Sequence, residues 1–336
     1  MENKFKGRVI FSENYQSTID SIKLINKSAN KKATISKITS DTIDISKGAS
    51  ISIISGYEKI SVINEDNLIP PKLLSAYDES ILELNSLEGK VRCIAHSAII
   101  QTDKEYIPSG YVTLKFYTKS DLIGARNTEY SDIIQSKDIN SAQIKEYVEE
   151  RKYFLEKAAP NNALMLIDGP MFSGATTSGN FILINQLLKQ ECRPIFFVKN
   201  SDSTIITENF KFAKGYNSDL HWAYSTLKEK EISQVFAYTS EGRSKAMCFM
   251  KIYNNRGPVR IEFPLDAFEQ GWYNDDVFDQ IYYQYLANGS ANNMQPRIIQ
   301  IAEMYAREIL KSTNLYKDIE RMGLTKSMNE ERNHSF

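Results

Sequence analysis

Asp168 closes the run Ala163-Leu164-Met165-Leu166-Ile167-Asp168 and is followed by Gly169-Pro170. Apolar residues bounded by Asn161-Asn162 and by Gly-Pro predict a buried strand with a carboxylate at its mouth. Such a group can hold a metal ion, activate water or cap a turn, and its partners decide which. Two-metal hydrolysis of a phosphodiester needs several acidic groups from separate elements, holding ions about 3.5–4 Å apart. Hard ions such as Mg²⁺ or Mn²⁺ take oxygen ligands. The candidates are Asp41 and Asp44 early in the chain, Glu146, Glu149 and Glu150 just before Asp168, and Glu303 near the end. Each of the three middle glutamates, taken alone, reads as a solvated helix residue. Glu303 is more informative, because positions 299, 303, 306 and 310 share a helix face. It then lies between Ile299, Ala306 and Leu310, half buried and in need of a partner, which a neighbouring Arg or Lys would supply. Lys199 follows Pro194-Ile195-Phe196-Phe197-Val198 and stands, like Asp168, at a strand's carboxyl end. Open α/β sheets carry ligands at that edge, so this lysine either meets a phosphate or is a surface residue.

The turn after Asp168 tempts a different reading. Gly169-Pro170-Met171-Phe172-Ser173-Gly174-Ala175-Thr176 has the phosphate-loop spacing GxxxxGK[ST], with Ala175 in the lysine's place. That lysine neutralises the β- and γ-phosphates, and Pro170 removes one more backbone donor. The segment reads as a Gly-rich turn, not a nucleotide loop.

Bulk properties narrow the classes. The 336 residues carry 41 basic and 42 acidic side chains, a formal net charge of -1, which excludes a globally basic nucleic-acid binder but not a local basic groove. Cys93, Cys192 and Cys248 are odd in number and have no CxxC spacing, so they read as buried thiols in a reducing compartment. His96, His221 and His334 form no HxH or HExxH pair, which argues against a histidine-based zinc site. No apolar leader or membrane-length stretch is visible, and a cytoplasmic protein is expected. Among the abundant aromatics, Tyr273, Tyr282, Tyr283 and Tyr285 could stack on bases or simply pack.

The elements that must position these residues follow from pattern. Residues 1–32 read as an N-terminal, partly helical segment. Alternation from Ala33 to about Ile63, broken at Lys47-Gly48, predicts two antiparallel strands. Residues 64–90, with Pro70-Pro71 and many charges, predict a loop-rich insertion with a short helix. Val91–Ile100 and Tyr111–Tyr117 predict strands joined through Pro108-Ser109-Gly110. Ala142–Lys157 predicts a helix, with the strand to Asp168 next. A helix over Phe181–Gln190 and a strand over Pro194–Val198 complete a parallel crossover. Strands at Gln234–Tyr238, Ala246–Tyr253 and Val259–Phe263 precede two helices, about Asp275–Leu286 and Arg297–Ser312. The main domain runs over 33–325, and the polar tail 326–336 is expected to be disordered. The fold class is α/β, an RNase H-like core with a mixed sheet flanked by helices.

In this order the motifs resemble the NurA family, nucleases that work with the HerA ATPase in DNA end processing. The resemblance spans roughly residues 33–312. Its strongest piece is Leu166-Ile167-Asp168-Gly169-Pro170-Met171, similar to a strand-end Asp-Gly-Pro/Ser-Leu motif. A helical glutamate precedes that motif at a near-fixed interval; Glu149, at 168 − 149 = 19, matches it, with Glu150 as the alternative. Pro194–Lys199 and Val259–Pro264 resemble later family strands. Gln295-Pro296 and Ala302-Glu303 stand where the family has Tyr-Pro and then Ala-His or Ala-Asp. The first motif, a strand ending in Asp-Gly-Ser, finds its counterpart in Ile38-Thr39-Ser40-Asp41-Thr42, with Asp44 as a rival. The resemblance implies a metal-dependent deoxyribonuclease acting through two Mn²⁺ or Mg²⁺ ions. Asp41, Glu149, Asp168 and Glu303 would be the ligands, and Lys199 a catalytic phosphate contact. It also implies a homodimer that binds DNA and docks on a HerA-type hexameric ATPase, in end processing or anti-phage defence. The rival is a catalytically inactive adaptor of the same ATPase.

Overall fold

The computed structural model describes residues 14–28 and 42–322, apart from 47, 66, 67, 69, 126, 128, 130, 173, 274, 275 and 290–293. Helix α1 (Tyr15–Ser28) comes first, then β1 (Ile43–Ser46), β2 (Ala49–Ile53) and β3 (Ser61–Val62). Three long strands follow: β4 (Leu74–Asn85), β5 (Lys90–Gln101) and β6 (Tyr106–Thr118). The short α2 (Asp121–Gly124) and β7 (Ile133–Gln135) lead to α3 (Ile139–Ala158), β8 (Leu164–Asp168), α4 (Thr177–Lys189) and β9 (Arg193–Val198). Next come α5 (Ile205–Asn209), α6 (Asp219–Thr226), β10 (Glu231–Ile232), β11 (Phe236–Ser240), β12 (Arg243–Lys251) and β13 (Val259–Pro264). Helices α7 (Leu265–Glu269), α8 (Asp276–Asn288), α9 (Arg297–Ser312) and α10 (Leu315–Met322) close the fold.

All the described strands join one mixed sheet in the order β1-β2-β11-β12-β13-β9-β8-β4-β5-β6-β7, with β10 and β3 attached beside β12. Strands β4, β8 and β9 are mutually parallel where they pair, and β4-β5-β6 is an antiparallel meander. The segment β6-β5-β4-β8-β9, with α3 and α4 as crossovers, is the RNase H-like core expected from the element order.

Period-2 alternation divides the sheet's side chains into two layers. On one side Leu74, Ala76, Leu164, Leu166, Ile195, Phe197 and Ile261 pack with α8 and α9. On the other, Tyr77, Met165, Ile167 and Phe196 pack with α3 and α4, and further along Ile51, Phe236, Met247 and Phe249 pack with α5 and α6. Helix α9 is held by the stripe Ile298, Ile299, Ala302, Ala306 and Leu310. Cys93, Cys192 and Cys248 are buried free thiols.

Two expectations fail. Residues 64–90 are not a loop-rich insertion: they contain β4, the strand between β5 and β8. Leu74-Ser75-Ala76-Tyr77-Asp78 is buried on both faces, so it lacks the alternation that marks a half-exposed strand. Pro108 does not join two strands but lies within β6, opposite Ile99. Strand β7 pairs β6 only at Phe116–Thr118, so Pro108 sits on an open edge where its missing N–H is harmless. The polar tail expected from residue 326 lies outside the described residues. No described helix is long and apolar enough to cross a membrane.

Candidate active site

Strand β8 ends at Asp168, and its parallel neighbour β4 pairs Leu74 with Leu164 and Tyr77 with Ile167. One step further sets Asp78 beside Asp168. Both carboxylates are in step with the residues that face α8 and α9 (Leu74 and Ala76, Leu164 and Leu166), so they share that side of the sheet. Lys199 directly follows β9 and continues the Ile195, Phe197 face. Glu303 comes from α9, whose turn at Ile299 and Ala302 packs on the same layer.

The side chains interact as these positions dictate. Lys199 Nζ lies 2.8 Å from Asp168 Oδ2, while Asp168 Oδ1 accepts the Gly169 N–H at 3.1 Å. Gly169 has φ +92, a backbone state that glycine adopts without strain, and its N–H also donates to the Phe197 carbonyl. Glu303 is partly buried and ion-paired with Arg307, one turn on. Asp78 is 9% exposed, and its Oδ1 accepts the Glu79 N–H at 2.8 Å. Burial, and then the negative charges of Glu79, Asp168 and Glu303, push its carboxyl up to about 8. The Tyr285 hydroxyl on α8 is buried without a hydrogen-bond partner among the described residues. Burial, with the charge of Asp168, holds that phenol well above its ordinary range.

The other side of the sheet holds carboxylates of a different kind. Glu150 accepts Thr113 Oγ1 at 3.0 Å and sits 2.7 Å from Lys115 Nζ and 3.6 Å from His96 Nε2. Burial raises its carboxyl, but His96 and Lys115 outweigh that and hold it below the usual range. Glu262 on β13 is wholly buried between Lys245 Nζ at 2.6 Å and Arg260 Nε at 2.9 Å, and it accepts the Met171 N–H at 2.8 Å. Asn180 Nδ2 donates to the Met171 carbonyl and Arg151 Nη1 donates to Asn180 Oδ1. The turn after Asp168 is therefore pinned from beneath.

The structure brings together Asp168, Lys199 and Glu303, and adds Asp78. It does not bring Glu149 to them. The inward face of α3 is Gln143, Tyr147, Glu150, Arg151, Phe154 and Leu155, which leaves Glu149 turned to solvent. Helix α3 also covers the opposite side of the sheet from Asp168. Asp41 lies outside the described residues. Asp44 is exposed on the edge strand β1, six strand spacings of about 4.8 Å from β8, roughly 29 Å in all, which removes it as a ligand. Among the described residues no set of three or more His, Cys, Asp or Glu is already gathered as a cage. The Lys199 ammonium occupies one Asp168 oxygen, so the arrangement is a group of like charges, not a closed coordination sphere.

Comparison with known proteins adds to this geometry. The family model of the NurA domain matches residues 51–308, most of the chain. The chain belongs to the NurA domain family. Its core order, β4 through β9, falls inside the matched region, as does α9 as far as residue 308, Glu303 included. The crystal structure of the NurA nuclease from Sulfolobus solfataricus is similar with a TM-score of 0.50 at 12% identity, over 93% of this chain and 99% of that one. A NurA structure with manganese gives 0.42 at 8% identity, over 91% and 98%. Endonuclease V from Bacillus subtilis gives 0.38 at 10% identity, over 75% and 88%. These last two likenesses are too slight to argue from. Among curated proteins no match is found. For this NurA-family chain the sequence reading missed Asp78, the acidic neighbour that β4 supplies. The signal was present: Leu74–Asp78 is a second short strand-like run ending in Asp, and Asp78-Glu79-Ser80 keeps the Asp and Ser of an Asp-Gly-Ser motif.

Proposed function

We propose that this NurA-family chain is a divalent-metal-dependent deoxyribonuclease that hydrolyses DNA phosphodiester bonds. One observation carries the reading: Asp78 and Asp168 stand side by side at the end of the parallel β4–β8 pair, with Glu303 in electrostatic range. Like charges held together at a sheet edge are relieved by a cation. All-oxygen donors suit Mn²⁺ or Mg²⁺ better than zinc. Asp78 and Asp168 would hold the ion, and Glu303 would complete the set once released from Arg307. The bound ion would supply Lewis-acid activation of water and of the phosphodiester, with one or two ions engaged. Lys199 neutralises Asp168 in the free protein; with a cation in place its ammonium is available to a phosphate oxygen. Tyr285 offers a hydroxyl that stays protonated across the working pH range. The similar Sulfolobus protein is a NurA nuclease, which supports the same reading. We extend the reading to a homodimer working with a HerA-type hexameric ATPase, in end processing or in anti-phage defence.

The test is cleavage of linear DNA under Mn²⁺ and Mg²⁺. Asp168→Asn and Asp78→Asn should each lower the rate by about a thousandfold, roughly 4 kcal/mol of barrier, with the fold intact by circular dichroism. Cleavage that survives Asp78→Asn would sink this site. The inactive adaptor is the second reading. The 2.8 Å Lys199–Asp168 ion pair favours it, because it satisfies Asp168 without a metal. Wild type that cuts under no divalent ion, with or without the ATPase, would establish it.

A further inference from the structure

On the α3/α4 side, between the helix pair α3–α4 and the pair α5–α6, the sheet is not covered by apolar side chains. A cavity of about 470 Å³ opens there, lined among others by Phe172, Ser203, Tyr238, Arg243, Lys245 and Arg260. That volume lies within the range of small-molecule sites, roughly 300–1,000 Å³. Its floor is cationic, and Lys245 and Arg260 are each more than nine-tenths buried. The two cations share a single carboxylate, Glu262. The other nearby acids are committed or peripheral. Asp219 accepts the N–H groups of Ile206 and Thr207 and the Ser203 hydroxyl. Glu241 is exposed on the rim, 3.8 Å from Arg243. Arg260 is ion-paired through Nε with Glu262 but makes no hydrogen bond from that nitrogen; its Nη1 donates to Ser201, and Arg243 Nη2 donates to Ser178. A guanidinium has five N–H donors, so both keep donors in reserve. Phe172 and Tyr238 add aromatic rings to the lining, with Lys245 Nζ 5.9 Å from the Tyr238 ring.

Cations on the floor and aromatic rings in the lining match a phosphate joined to a flat ring. The geometry points to a metal-independent site for a nucleoside monophosphate, either free or as the 5′-terminal residue of a DNA strand. Arg243 and Arg260 hold the phosphate, and Phe172 or Tyr238 takes the base. The site is distinct from the carboxylates, which lie on the other side of the sheet, but it is near them along the chain. Phe172 comes four residues after Asp168, and Ser203 four residues after Lys199.

The test is calorimetric titration of the full chain in excess EDTA with thymidine monophosphate, with thymidine, and with 5′-phosphorylated and 5′-hydroxyl forms of one oligonucleotide. The monophosphate should bind and thymidine should not. Arg243→Gln, a rim change, should weaken binding about tenfold, the worth of one charge-assisted hydrogen bond, and Arg243→Lys should lose less. Asp168→Asn should bind like wild type, which separates this site from the carboxylate site. Preference for the 5′-phosphorylated oligonucleotide identifies a DNA end as the source; equal binding of the two oligonucleotides, alongside binding of the monophosphate, identifies free nucleotide. No binding in EDTA, binding unaffected by Arg243→Gln, or binding abolished by Asp168→Asn overturns the assignment. None of these readouts requires cleavage, so they stand or fall apart from the nuclease reading.

Discussion

The two sides of the sheet treat buried carboxylates in opposite ways. Glu262, on the α3/α4 side, is completely buried, yet two cations and a backbone N–H hold it ionised and below its usual pKa. Asp78, on the α8/α9 side, is slightly less buried, has no cation in contact among the described residues, and is pushed up to about 8. Burial raises the pKa of both, so it does not separate them. The partners do, and they divide a structural acid from one that awaits a positive charge.

This contrast can be broken from either side. The largest effect on stability is expected at Glu262. Glu262→Ala leaves Lys245 and Arg260 buried and unpaired and frees the Met171 N–H, a loss of about 3–5 kcal/mol measurable by urea denaturation. Asp78→Asn should do the reverse. The folded pKa of Asp78 lies above the unfolded one, so the native state holds a proton that the unfolded chain has lost. Its contribution is complete below about pH 4 and is lost as pH rises toward 8. Asp78→Asn should therefore be more stable than wild type at pH 7.5, by on the order of a few kcal/mol, and equal to it near pH 4. Added Mn²⁺ should stabilise wild type and not this variant. If Asp78→Asn is less stable at pH 7.5, the carboxylate is better satisfied than the contrast requires. The smallest effect belongs to Glu149→Ala, for which neither melting temperature nor cleavage rate should change. A large loss of cleavage there would return α3 to the metal site.

Much of this was legible in the sequence, and the failures share a cause. Asp168, Lys199 and Glu303 were legible as candidates because each sits at the end or on the face of an element with a clear period. Glu303 was expected to be half buried with a basic neighbour, and Arg307 is that neighbour. Strand β4 was misread because Ser75 and Asp78 are polar residues inside a fully covered strand, where no alternation survives. With β4 hidden, Asp78 was overlooked and the first acidic residue was sought at Asp41, which lies outside the described residues, or at Asp44, which the sheet order sets far from Asp168. Glu149 was chosen over Glu150 by interval alone. A shift of one residue on a helix is 100°, enough to turn a side chain from the sheet to solvent. Neither choice anticipated that Glu150 would be locked by Lys115, because β6 meets α3 only in the folded chain. The Lys245–Glu262–Arg260 cluster was hidden for a related reason: Arg260 and Glu262 alternate on β13, but Lys245 joins them only across the pairing with β12.

The parallel pairing of β4 with β8 also governs when the protein acquires its acidic centre. Leu74 meets Leu164 across a separation of 90 residues, and Glu303 is synthesised 135 residues after Asp168. Closing so long a segment is an entropic barrier that no local contact offsets, and parallel strands of this kind form slowly. A ribosome-bound chain that has released β4, β8 and β9 still lacks α9. The three carboxylates are thus assembled only once the chain as far as α9 has left the tunnel, so a copy that stops short of α9 carries no complete acidic centre.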